Sequence, residues 1–145
     1  MPDFSSYSLA VFFQDQMIFS SSDKGLRPLW NFLCGYCGKD HNLVLHDKVI
    51  GLAAARLAVY SGIFTEIQTN LVSLPAKIFL EDNGITLLAR DITDRIMNRD
   101  RSSVCPGEII ALNHPKRHDF YAGIRSLMDK SLERDENKEV DLRTM

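Results

Sequence analysis

Apolar positions along the chain change their spacing several times, and each change marks an element. SLAVFF (8–13) and MIFSS (17–21) flank the short polar turn Gln14-Asp15-Gln16. Both runs are rich in strand formers and predict an N-terminal β-hairpin. After the turn Asp23-Lys24-Gly25 the spacing becomes helical. Leu26, Leu29, Trp30 and Leu33 share a face, Pro28 suits a first turn, and Gly35 and Gly38 end the helix. A second helix is predicted over 46–61 from Ile50, Ala53, Ala54, Leu57 and Ala58, with Asp47 in the first turn and Gly62 as its stop. Gly51 and Ala55, four residues apart, leave that helix a smooth face that a sheet can approach closely.

EIQTNLVS (66–73) alternates Ile67, Thr69 and Leu71 and predicts a strand. Ser73 is placed to cap the next helix, with Pro75 in its first turn and Gly84 as its stop. ITLLA (85–89) is a further strand, DITDRIMNR (91–99) a short helix and RDRSSV (99–104) a polar loop. A helix is expected to begin near Cys105-Pro106-Gly107-Glu108. The last helix is expected near His114-Pro115, packing through Phe120, Ile124, Leu127 and Met128. A hairpin followed by strands alternating with helices points to an α/β fold, a three-layer α/β/α sandwich over a mixed sheet.

Length sharpens this to one domain. The chain has 145 residues, enough for a sizeable core. The domain is assigned to residues 1–130, followed by a mostly charged C-terminal tail over 131–145. The 45% apolar and 25% charged content is ordinary for a soluble protein. A net charge of −2 gives no basic surface for nonspecific nucleic-acid binding. No apolar run reaches membrane-span length, and MPDFSSYS lacks the pattern of a signal peptide. The expected location is therefore the cytoplasm, with the three cysteines reduced.

HDKVIGLAAARLAVY (46–60) carries a resemblance. Position for position it resembles the zinc-deaminase signature helix H-x-E-x-x-A, with Lys48 where that pattern has its proton-shuttling Glu. Together with DKGLRPL (23–29), DKVIGLAAA (47–55), the Asn98-Arg99 pair and CPGE (105–108), it is similar to a family of small uncharacterised prokaryotic proteins of the cytidine-deaminase-like superfamily. The resemblance covers about residues 8–128. It implies a cytidine-deaminase-like fold with a nucleotide-binding pocket and a tendency to form homo-oligomers. It does not imply a working zinc site, because Ala76 and Phe79 fall where P-C-x-x-C would supply ligands. A standard deaminase also needs the Glu, and a protonated lysine is no base at neutral pH. No metal and no cofactor is therefore expected.

The candidate chemistry gathers at two expected helix starts. Asp47 and Lys48 are expected to line the old deaminase pocket, Asp47 accepting from a base or ribose hydroxyl and Lys48 meeting a phosphate. Cys105 falls at an N-cap, where backbone amides and the helix dipole lower a thiol pKa. With Arg99, Arg101 and Asn98 nearby, the same place suits a phosphate. The expected ligand set is Asp47, Lys48, Asn98, Arg99, Arg101 and Cys105, for a nucleotide-like small molecule. The catalytic candidates are Cys105 as nucleophile, Glu108 and Lys48. The plainer alternative makes Cys105 a small buried residue and Glu108 part of a capping box. Two zinc readings remain open: Cys34, Cys37, His41 and His46 together, and His46 with Cys105 and Glu108.

Overall fold

The N-terminal hairpin forms where the strand formers predict it. Strands β1 (Leu9–Phe13) and β2 (Gln16–Ser21) pair antiparallel. The loop between them is only Gln14 and Asp15, both at positive φ (50° and 65°). That left-handed pair matches the twist of the flanking strands. The computed structural model describes residues 2–96 and 105–144, with side chains as far as residue 130. The remaining elements are α1 (Arg27–Gly35), β3 (Leu43–Asp47), β4 (Val49–Ile50), α2 (Leu52–Ser61), β5 (Phe64–Ser73), α3 (Leu74–Asp82), β6 (Thr86–Thr93), α4 (Pro106–Asn113) and α5 (Arg117–Thr144).

The sheet is mixed, in the order β2-β1-β3-β5, with β6 on the far side of β5. β1 is antiparallel to both its neighbours, whereas β3, β4 and β6 run parallel to β5. β3 and β4 form one strand line broken at Lys48: His46 pairs with Gln68, and Val49 with Leu71. At the break the Lys48 carbonyl accepts from the Leu71 amide (3.3 Å) and the Thr69 hydroxyl (3.1 Å), so no backbone acceptor is stranded there.

Two local predictions give way to this sheet. His46, Asp47 and Lys48 do not begin a helix; His46 and Asp47 close β3, and α2 starts at Leu52 after the N-cap Gly51. The alternation of LVLHD, with one face buried, outweighs the helical spacing that begins at Ile50. Similarly, Asp91, Ile92 and Thr93 extend β6, in register with Leu71, Val72 and Ser73, and do not start a helix. The rest of that predicted helix, and the loop after it, lies outside the described residues. Other signals appear as expected. Ser73 caps α3 by accepting from the Ala76 amide (3.3 Å), and Gly62 closes α2 at φ 71°.

Helices cover one face of the sheet. Phe32 of α1 packs on Phe19 and Phe64, and Tyr60 of α2 meets Phe79 of α3 edge-on. α4 and α5 lie beyond this layer, packed on α2 through Ala111, Phe120 and their neighbours. Every residue from Ala53 to Ala58 is consequently buried. A helix apolar all round, built largely of alanine, suits a position enclosed on every side. On the other face Val44, His46, Glu66 and Gln68 are half-buried and Leu88 and Arg90 exposed, as on a face that no described helix covers. The layers therefore run sheet, helices, helices, and differ in order from the expected α/β/α sandwich. No described helix is long and apolar enough to cross a membrane.

Candidate functional site

The residues singled out from sequence separate into two places. The first is the start of α2. Glu108 reaches across from α4 and accepts the Leu52 amide with both carboxylate oxygens (3.0 and 2.8 Å). A carboxylate on the free amides of a helix N-terminus also meets the positive end of its dipole. Glu108 is only 2% exposed. Burial raises its pKa, while the Leu52 amide, the Ser73 hydroxyl and the Ala53 amide oppose that rise. It thus caps a neighbouring helix, in place of the capping box expected for its own. Gly51 makes the approach feasible: a Cβ there would collide with Glu108 Oε2. Its backbone is ordinary (φ −98°), so the glycine is needed for space.

The reverse contact holds the other end of α4. Arg56 of α2 is 3% exposed, and its guanidinium donates to the carbonyls of Ala111 (2.9 Å), His114 (2.6 Å) and Pro115 (3.2 Å). Its Nε donates to the Tyr60 hydroxyl (2.9 Å), and its Cζ lies 4.1 Å from the Phe120 ring centre. A cation on the carbonyls at a helix C-terminus complements the dipole there. α2 and α4 therefore cap each other, one with an arginine and the other with a glutamate. Sequence reasoning passed over Arg56, although a lone charge inside LAAARLAVY was its signal.

Cys105 is the half-buried N-cap of α4, and its amide donates to Ile96. Glu108, the base nearest to it in sequence, is engaged with α2. Asp47 is 7% exposed. Burial pushes its carboxyl well above the usual range, partly offset by the Val49 and Lys48 amides. It ends β3 on the helix-covered face, among the core positions Leu43 and Leu45. Asn98, Arg99 and Arg101 lie outside the described residues.

The metal candidates do not meet. Cys34 and Cys37 are exposed at the end of α1, and His41 bonds the Gly62 carbonyl. His46 lies on the open face of the sheet, 3.1 Å from the Tyr7 hydroxyl and 4.5 Å, ring to ring, from Phe12. Partial burial lowers its pKa, with Glu66 opposing the fall. Among the described residues no three His, Cys, Asp or Glu side chains gather to hold a metal.

The second place is on the same open face. Lys48 lines a polar cleft of about 400 Å³ together with Asn70, Arg90 and the N-terminal segment Pro2–Ser5. Three strand lines supply these side chains: Lys48 from the β3/β4 break, Asn70 from β5 and Arg90 from β6. Neither cation has an ion-pair partner among the described residues, where the one ion pair is Lys77–Glu81. Asn70 Oδ1 is buried and has no hydrogen-bond partner there. Asp3, also in the lining, accepts from the Ser5 amide (3.0 Å). Lys48 was expected at a ligand site; Asn70 and Arg90 were missed. Their signal was the alternation of Glu66, Gln68 and Asn70, which marks a polar sheet face.

The sequence profile of TM1506, a domain of unknown function (DUF1893), matches residues 4–128. The fold is similar to the crystal structure of a DUF1893 family protein (TM1506) from Thermotoga maritima. That match has a TM-score of 0.70 and 24% sequence identity, covering 86% of this chain and 81% of the other. At that identity the likeness speaks for the fold. No curated protein sequence matches significantly. The chain belongs to the TM1506 family, the domain of unknown function DUF1893.

Proposed function

We propose that the protein binds a small anionic, nucleotide-like ligand on the open face of its sheet, and that it does not carry out zinc-dependent deamination. The observation behind this reading is the Lys48–Asn70–Arg90 cleft. Two cations without carboxylate partners beside a polar amide suit a phosphate or carboxylate ligand. The cleft replaces the helix-start pocket expected from sequence, because Asp47 and Glu108 are occupied by backbone amides. The resemblance to cytidine deaminases enters this proposal as a shared scaffold with altered chemistry. With His46 on a strand and Lys48 in place of the Glu, the chain has neither the usual first ligand position nor the proton shuttle of that reaction.

Calorimetric titration with nucleosides, nucleotides and ADP-ribose tests the proposal. Phosphorylated compounds are expected to bind and unphosphorylated nucleosides to bind weakly. The double variant Lys48→Ala, Arg90→Ala is expected to lose binding while keeping its fold. Failure of every compound to bind the unaltered protein removes the reading.

A further inference from the structure

We infer that the occupant of the Lys48–Asn70–Arg90 cleft is a hydroxyl-bearing phosphate ester, a sugar or polyol phosphate, and that Asn70 selects it by its hydroxyl. This rests on the anion-binding reading above and goes on to name the ligand class.

Lys48 and Arg90 account for the anion. Both side chains have hydrogen-bond donors only, and neither is matched by a described carboxylate. Asn70 adds a different requirement. In a folded protein nearly every buried polar atom has a partner, and one without is disfavoured. Asn70 Oδ1 is the buried side-chain polar atom left without a partner among the described residues.

Its neighbours do not supply one. Gln68 Nε2 donates to Glu66 (3.0 Å), and the single proton of the Thr69 hydroxyl faces the carbonyls of Lys48 and Leu71 (both 3.1 Å). The donors of Lys48 and Arg90 are the groups an anion would engage. A sulfate, or a phosphate ester in its fully ionised form, carries no donor. It would satisfy the cations and leave the amide oxygen unmet. A ligand hydroxyl is donor and acceptor at once, so it answers either end of the amide. A site built around such a contact discriminates against analogues that lack it, because the protein group is then left unpaired. The segment Pro2–Ser5 lines the same cleft and must yield for the hydroxyl to reach an oxygen closed off from solvent.

The test compares ethyl phosphate with 2-hydroxyethyl phosphate, which differ by one hydroxyl, by calorimetry or NMR titration at pH 8, where both esters are dianions. The unaltered protein is expected to bind the hydroxyl compound about fivefold to tenfold more tightly. Asn70→Leu is expected to bind both compounds equally. Equal affinities in the unaltered protein, or an undiminished preference in Asn70→Leu, overturn the inference and leave the anion-binding reading standing. Failure of both compounds to bind removes the two together. Should Asn70→Leu not fold, the ratio measured on the unaltered protein decides.

Discussion

The α2–α4 contact and the open sheet face both present charged side chains to the backbone framework, with opposite results. Between the helices, Glu108 and Arg56 are buried, and each is turned onto groups that a helix end leaves free. On the sheet, Lys48 and Arg90 stand in a cleft without a described carboxylate partner, and Asn70 Oδ1 has no partner either. A buried charge with its partners complete holds a fold together. Polar groups with partners missing are where the proposed ligand is placed. A conspicuous glutamate can therefore belong wholly to the architecture, while a lysine at a strand break stands in the cleft proposed for the ligand.

The sharpest way to break the contrast is at Arg56. Arg56→Met removes the donors to three carbonyls and the contact with Phe120, and is expected to destabilise the protein by about 3 kcal/mol or more in urea unfolding. A loss below about 1 kcal/mol would mean the arginine is not a structural clamp. Glu108→Ala uncaps α2 and is expected to cost about 2 kcal/mol. Gly51→Ala drives a methyl into the same carboxylate and is expected to cost a similar amount.

Asp47 gives an effect that depends on pH. Burial raises its folded-state pKa above the unfolded value. The folded protein then keeps a proton that the unfolded chain has released, so the stabilisation is full below the unfolded carboxylate range. It is lost as pH rises through the folded value. Asp47→Asn cannot ionise. Its stability relative to the unaltered protein is expected to climb with pH in melting curves taken from pH 4 to pH 8. A difference that stays flat with pH would show that Asp47 titrates normally.

The smallest effect on stability is expected at the cleft. Lys48→Ala and Arg90→Ala are each predicted to change it by less than about 0.5 kcal/mol while weakening anion binding roughly tenfold. If either variant unfolds the protein, the division between structural and ligand-directed charges fails at that residue.

Much of the architecture was visible in the residues themselves. Ser73, Pro75, Gly62 and Gly84 announced their helix ends, and the hairpin followed from its strand formers. The boundary at 46–51 was misplaced because the helical repeat of Ile50, Ala53, Ala54 and Leu57 runs directly on from the strand repeat of Leu43, Leu45 and Asp47. Periodicity alone does not locate the change; Gly51 does, through its space requirement against a residue far along the chain. The cleft was half visible. Lys48 attracted notice for a deaminase likeness, whereas Asn70 and Arg90 are unremarkable until the parallel register sets β5 beside β6. Which side of the sheet the helices cover follows from the whole chain path, which no single segment displays.

The reciprocal caps also set an order in time. The β1–β2 hairpin closes over a two-residue loop and can form in microseconds. Glu108 and the Leu52 amide are 56 residues apart, and Arg56 and the His114 carbonyl 58, so both contacts wait for a long loop to close. α2 is the most enclosed of the helices among the described residues and yet is finished only when α4 arrives. In pulse-labelling during refolding, amides of the hairpin will gain protection first and the Leu52 amide among the last.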